Sequence, residues 1–280
     1  EGITSHTVVA KIRRGLKVKK VGHAGTLDPM ATGVLVICLG QATRLSEYAM
    51  SSTKTYRATL CFGAVTDTYD ADGTITATMP YEHITLDALN TILSQFTGNI
   101  KQQPPMYSAI KQGGKKLYEL ARKGKSVERK SRSVRIDSIQ VFEWRLPEVV
   151  IDVTCGAGTY IRSLAYDIGE ALDSGAHLTG LVRLSSGAFQ LEDSHKLDDL
   201  LEDDAWQGKI QPADTVLGDF PAIALDAEDT DHIKYGRPIE YDNGSEDHDI
   251  YRAYTSDGQL LALLKSSGSR LRPHKVFLSS

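Results

Sequence analysis

The stretch Gly22-His23-Ala24-Gly25-Thr26-Leu27-Asp28-Pro29-Met30-Ala31-Thr32-Gly33 sets one carboxylate in a glycine-punctuated loop, directly ahead of the apolar run 34–39. The residue before a proline is driven out of helical backbone toward extended geometry, so Asp28 is conformationally restricted. A carboxylate held in this way at a strand edge is aimed reproducibly, and carboxylates serve as covalent nucleophiles. Asp-Pro also starts ordinary turns, so the dipeptide alone decides nothing. A nucleophilic carboxylate has to be ionised, which calls for a nearby cation. Arg162 is a candidate on independent grounds. Thr159 reads as a helix N-cap, which would put Arg162 at the third helical position. There Glu or Gln completes a capping box, and the helix dipole disfavours a cation. A residue that breaks a local rule often answers to a functional partner. A surface arginine tolerated at small cost remains equally consistent with the sequence.

Apolar spacing supplies the elements that must carry these groups. Residues 5–14 read as an amphipathic helix with Val8, Val9 and Ile12 on its inner face and Thr4 or Ser5 as cap. The run 34–39 reads as a strand buried on both faces. Helices are expected over 42–50, 85–96 and 159–172, the last with Ile161, Leu164, Ala165, Ile168 and Leu172 turned inward. Strands are expected over 56–62, 134–144, 149–155 and 178–184. The mixture predicts an α+β fold, with a mixed or antiparallel β-sheet flanked by helices. A boundary falls near Leu217-Gly218. Beyond it come short strands, a helix over 227–235 and a hairpin turning at Ser256-Asp257-Gly258. The expected domains are therefore 1–217 and a small β-rich 218–280.

Composition bounds the function further. No run of about 18 apolar residues exists, so no transmembrane helix is expected, and no signal peptide is visible. Cys38, Cys61 and Cys155 lack metal-ligand spacing and read as buried thiols in a reducing, cytoplasmic setting. Asp70-Ala71-Asp72-Gly73 fails as a calcium loop, because Thr68 and Met79 fall at its first and last ligand positions. The net charge of −4 is unevenly spread: residues 1–135 hold 20 Lys+Arg against 10 Asp+Glu, and the remainder holds 12 against 26. A basic half can supply a phosphate-binding surface that the total conceals. Its densest part is 101–135, where Lys115 and Lys116 sit and only Glu119 and Glu128 oppose the cations. The last third is acidic from Asp226 to Asp249, with Arg270, Arg272, His274 and Lys275 as the exception.

Four blocks in order give the chain a resemblance. The first is the Asp28 loop. The second is Lys54-Thr55-Tyr56-Arg57 leading to Gly63 and Asp67-Thr68-Tyr69-Asp70-Ala71-Asp72-Gly73. The third is Pro104-Pro105-Met106-Tyr107-Ser108-Ala109 with Lys115-Lys116-Leu117-Tyr118-Glu119-Leu120-Ala121-Arg122. The fourth is Gly158-Thr159-Tyr160-Ile161-Arg162-Ser163-Leu164 with Gly175-Ala176-His177-Leu178 and Leu181-Val182-Arg183-Leu184. Over residues 2–190 this order resembles the TruB family of tRNA pseudouridine synthases, and several blocks in register are far more specific than one. The family carries Asp-Lys-Pro ahead of Gly2, and the chain, which starts at Glu1, reads as trimmed there.

The resemblance implies an isomerase that turns uridine into pseudouridine at position 55 of the tRNA T-loop, with assistance to tRNA folding as a second role. It implies Asp28 as nucleophile, Arg162 as its ion-pair partner, and Tyr56 as a stacking face for the flipped-out base that also helps remove the C5 proton. It gives pocket positions to Tyr160 and Leu181, and to His23 the task of filling the gap left in the RNA stack. Each of these also fits an ordinary packing or loop residue. Segment 105–130 resembles the tRNA-gripping insertion of stand-alone bacterial members, which argues against guide-RNA dependence. The C-terminal domain resembles a PUA-type RNA-binding module. No metal, cofactor, membrane or guide RNA is expected, and the tRNA T-stem-loop is the expected partner of a monomer. A glycosidase would need two partnered carboxylates, and no second acid stands out beside Asp28.

Overall fold

Alternation in the strands Lys54–Phe62 and Glu148–Cys155 turns Ala58, Leu60 and Phe62 and Val149, Ile151 and Val153 to one face, where all are buried. The opposite face carries Arg57 bound bidentately to Asp152, at 2.8 and 2.7 Å. The two strands are the centre of a seven-stranded sheet in this computed structural model, which describes residues 1–108, 110–121, 124, 127–241 and 248–278, without the side chains of Lys111 and Lys116. Strand order is Phe189–Gln190, Ala176–Ser186, Lys54–Phe62, Glu148–Cys155, Arg132–Arg145 and Gly98–Gln102, each antiparallel to its neighbour. The short strand Thr32–Gly33 adds a parallel pairing to Ala176–Ser186.

Two helices cover the apolar face. Leu86–Gln95, capped by Thr85, buries Leu89 and Leu93, and Ile161–Ala171 buries Ile161, Leu164, Ala165 and Ile168. Ser5–Gly15 is capped by the Thr4 side chain, which accepts from the Thr7 N–H, and buries Val9 and Ile12. Its Ser5 is thereby free for another task.

Three expectations need correction. The run 34–39 is not a strand buried on both faces. Val36–Leu39 pairs only with Val21–Ala24 in a two-stranded ribbon, and its residues alternate between buried and half-buried. The region 42–50 is a 3-10 turn, Gly40–Leu45, running into the short helix Ser46–Ser51. Cys61 points to the open sheet face and is half-buried, unlike Cys38 and Cys155.

The C-terminal segment forms a five-stranded sheet in the order Ala222–Ala224, Ile250–Tyr254, Leu260–Ser267, Arg270–Val276 and Ile239–Glu240. The helix Ala227–Lys234 packs Ile233 into its core with Tyr251, Leu261, Leu264 and Leu271. A second cluster joins this sheet to the rest of the chain. Leu45, Leu217 and Leu263 are buried together, with Tyr48, Phe220 and Phe277 around them.

Candidate active site

Asp28 is stapled in place from several directions. Ser5 Oγ accepts from the Leu27 N–H at 2.9 Å and donates to Leu27 O at 3.2 Å. The Asp28 carbonyl accepts from Ala31 N–H at 2.9 Å, closing the turn over Pro29. The loop ends at Gly33, whose φ of +100° and approach to the Arg183 backbone leave no room for a Cβ.

Arg162 meets this loop from the first turn of the helix Ile161–Ala171. Its Nε donates to Asp28 Oδ2 at 2.9 Å and its Nη2 to Asp28 Oδ1 at 2.8 Å. Such a fork-to-fork pair fixes orientation as well as charge. Nη1 and Nη2 also donate to the carbonyls of Thr68 at 3.3 Å and Tyr107 at 2.9 Å. The guanidinium is buried, with its side chain 5% exposed, whereas the Asp28 side chain is 32% exposed. The cation is therefore locked inside while the carboxylate is open to solvent.

The local reason differs from the sequence expectation. The helix N-cap is Tyr160, not Thr159, whose hydroxyl donates to Gly156 O at 3.1 Å. Arg162 is thus the second helical residue and no capping box is in question, but it remains a cation at the positive end of a helix dipole. Gln102 secures the turn from the neighbouring strand end: its Oε1 accepts from Tyr160 N–H at 2.8 Å and its Nε2 donates to Tyr160 O at 3.0 Å.

A second acid does share the site, against expectation. Asp70 Oδ2 lies 3.4 Å from Arg162 Nη1. The loop that carries it is tightly built: Thr68 Oγ1 donates to Asp70 Oδ1 at 2.5 Å, the Asp72 N–H donates to the same atom at 3.2 Å, and Tyr69 adopts a φ of +65°. Burial, reinforced by the charge of Asp28, pushes the Asp70 carboxyl above its usual range. Asp70 is 4% exposed and cannot face a solvent-borne sugar as Asp28 does. It braces Arg162 and does not form a glycosidase pair. Asp70 was within a motif already singled out, but nothing in the spacing ties it to residue 162.

Tyr56 and Tyr160 stand close enough to Asp28 for its charge to act on both phenols, and burial pushes both above the ordinary tyrosine range. Tyr56 is partly buried and packs against the main core cluster. Leu181, 7% exposed, lies opposite Ala58 and packs into the same cluster. His23 is on the ribbon strand Val21–Ala24 and not in a loop. Its Nδ1 is buried without a hydrogen-bond partner, and burial together with the charges of His6 and Arg183 lowers its pKa. Lys115 lies exposed on the short hairpin of Lys111–Gln112 with Lys115–Lys116 and forms no ion pair among the described residues. The Lys116 side chain lies outside the described residues, as do Arg122, Lys123 and Lys125 of the same basic segment. A cavity of about 1280 Å³ also touches Asp28; its lining is mostly apolar, with Ile12, Leu35, Ile37, Leu39 and Trp206, and carries polar groups such as Ser5, Gln41 and His195.

The chain is similar to known proteins. A family model described as TruB family pseudouridylate synthase, N-terminal domain, matches residues 13–161. Models described as tRNA pseudouridylate synthase B C-terminal domain and tRNA pseudouridine synthase II, C terminal, match 162–218 and 220–278. The tRNA pseudouridine synthase B of Symbiobacterium thermophilum is 46% identical over 84% of this chain and 79% of its own length. That of Clostridium perfringens is 40% identical over 99% of this chain and 96% of its own. Among solved structures, a Cbf5-Nop10-Gar1 complex matches with a TM-score of 0.76 and 27% identity, over 99% of this chain and 82% of the other. An H/ACA RNP bound to a substrate RNA containing 2'-deoxyuridine gives 0.75 and 25%, over the same shares.

Proposed function

The chain belongs to the TruB family of pseudouridylate synthases, and we propose how its residues divide the work. The activity is the isomerisation of uridine to pseudouridine at position 55 of tRNA, without a guide RNA. In that reaction the C1′–N1 bond breaks and a C1′–C5 bond forms, while C5 loses a proton and N1 gains one. No atoms or electrons are exchanged with a co-reactant, so positioning, one nucleophile and one proton transfer suffice.

Asp28 is the nucleophile, and Arg162 is the residue that positions it and supplies the counter-charge. The observation that carries this is the bidentate pair with its buried cation and open carboxylate. The target base must leave the RNA stack to reach Asp28. Tyr56 offers the face on which it stacks, and, its own proton having passed to solvent, the Tyr56 phenolate takes the C5 proton while N1 is protonated from solvent. Tyr160 and Leu181 line the base slot. His23, kept neutral by its burial, fills the gap in the RNA. Lys115 and Lys116 contact phosphates from the insertion 105–130, and residues 218–280 form a separate PUA-like domain beside the catalytic 1–217.

The test is to incubate the pure chain with an unmodified tRNA transcript and map pseudouridine by mass. Product at position 55 with no other RNA present is the expected result. Product only after a guide RNA is added would favour the Cbf5-like reading instead. That reading has the fold likeness at 25–27% identity behind it, against the 40–46% of the synthase B relatives.

A further inference from the structure

Arg183 lies on the strand Ala176–Ser186, two residues past Leu181 on the same face, and is 1% exposed. A buried cation is costly unless its N–H groups are met. Among the described residues no carboxylate lies within ion-pair distance of it; its partners are loop carbonyls. Nε donates to Val34 O at 2.7 Å and Nη2 to Gly25 O at 3.1 Å, one carbonyl on each side of Asp28 in the chain. The backbone of the same residue closes the same loop: Val34 N–H donates to Arg183 O at 2.9 Å, and Gly33 is its partner in the parallel pairing. Across the sheet, Arg183 is the ladder partner of Tyr56. That pairing sets the Arg183 side chain next to Tyr56, where its charge favours the ionised phenol against the larger, opposing effect of burial.

We infer that Arg183 is a positioning residue for this reaction: its guanidinium locks the Asp28 loop to the Tyr56 phenol, so that nucleophile and proton acceptor meet the uracil as one unit. This rests on the proposed roles of Asp28 and Tyr56 and adds the group that sets their relation. A purely structural arginine would be replaceable wherever the fold survives. A positioning arginine is not, because a lysine offers a point charge in place of the fork that spans the Val34 and Gly25 carbonyls.

The experiment compares Arg183→Lys and Arg183→Gln with the wild type in thermal unfolding, tRNA affinity and single-turnover rate. It also follows Tyr56 ionisation by difference absorbance against Tyr56→Phe. In Arg183→Lys the expected outcome is a folded protein, tRNA affinity within about threefold because phosphate contacts are untouched, and a rate lower by roughly ten- to a hundredfold from misplacement. In Arg183→Gln the Tyr56 phenol should ionise at higher pH than in the wild type, because the stabilising charge is gone. Wild-type rate in folded Arg183→Lys, or a loss of rate matched by loss of affinity, overturns the inference. If Arg183→Gln does not fold, the lysine variant decides alone. The phenol titration is read on free protein. An unshifted titration denies the Arg183–Tyr56 contact, whereas a shifted titration with unchanged rate denies Tyr56 its place in the reaction. Either result sinks the proposal, and the two failures are distinguishable.

Discussion

At the scale of the residue, the site depends on one guanidinium with every direction used. Arg162 spends two N–H groups on Asp28, others on the Thr68 and Tyr107 carbonyls, and leans on Asp70. Arg162→Ala leaves Asp28 unanchored and Asp70 a buried acid without its cation. Single-turnover rate should fall by about 10²–10³-fold or more, with tRNA affinity little changed. Arg162→Lys should restore only part of it, since an ammonium cannot bind both carboxylate oxygens in parallel. Full activity in Arg162→Ala would dismiss the pairing. His23 gives a pH prediction. Its pKa is held below 6.5, chiefly by burial. The folded state thus binds this proton more weakly than the unfolded one, and acidification through the unfolded value and below removes stability. Proton NMR of the His23 ring should give a midpoint under 6.5; a midpoint at or above it would contradict the burial. Asp28 was singled out in the sequence by its glycine-punctuated, proline-restricted loop, and Arg162 as a cation at a helix start, even though the cap assigned to Thr159 belongs to Tyr160. Asp70 and Arg183 were not, because their partners come from distant strands and loops that no spacing connects.

At the scale of the element, the Asp28 loop is held by sheet geometry as much as by side chains. The pairing of Thr32–Gly33 with the strand Ala176–Ser186 requires a glycine at 33, where a Cβ would lie 2.3 Å from Arg183 O. Gly33→Ala should cost about 1–3 kcal/mol of stability, read by chemical denaturation, and should reduce turnover in the protein that remains folded. Unchanged stability would mean that the loop is not pinned there. The segment 105–130 is tied to the site at its base, where Tyr107 O accepts from Arg162 and Pro104 O accepts from Arg129 at 3.0 Å. Saturating tRNA should shield this Lys- and Arg-rich segment from trypsin, and equal cutting with and without tRNA would deny it a gripping role. Helices with clear 3.6-residue spacing, such as Leu86–Gln95 and Ile161–Ala171, were readable to within a residue or two. The run 34–39 was misread because continuous apolar sequence signals burial without saying against what; it borders the mostly apolar cavity, with a strand on one side only.

At the scale of the whole molecule, the C-terminal sheet is seated on the preceding part of the chain. Lys275 binds Glu47 and the Arg44 carbonyl, Arg44 stacks 5.1 Å from the Phe277 ring centroid, and Tyr48 meets Phe220 edge-on at 5.4 Å. Charge patterning made Arg270, Arg272, His274 and Lys275 look like one free patch. Structurally Lys275 is committed to this seat and Arg270 pairs with Glu240, which leaves Arg272 exposed beside Lys265 and His274. Two outcomes follow. Deleting 218–280 should destabilise what remains, because Leu45 and Leu217 lose their cover, so a lower melting temperature is expected along with weaker tRNA binding. Arg272→Glu, which leaves the seat intact, should change the slope of log affinity against log salt by no more than about 1, the share of a single phosphate. A larger change would show that the acidic C-terminal part carries more of the RNA contact than its charge suggests.

The proposed nucleophile role of Asp28 is tested most directly by Asp28→Asn, which keeps the size of the side chain and a hydrogen-bonding group but removes the anion. The measurement is single-turnover pseudouridine formation in an unmodified tRNA transcript, with tRNA affinity determined on the same preparation. No product, with affinity within about threefold of wild type because the phosphate contacts are intact, is the predicted result. Turnover above a trace in Asp28→Asn would contradict the account at its centre.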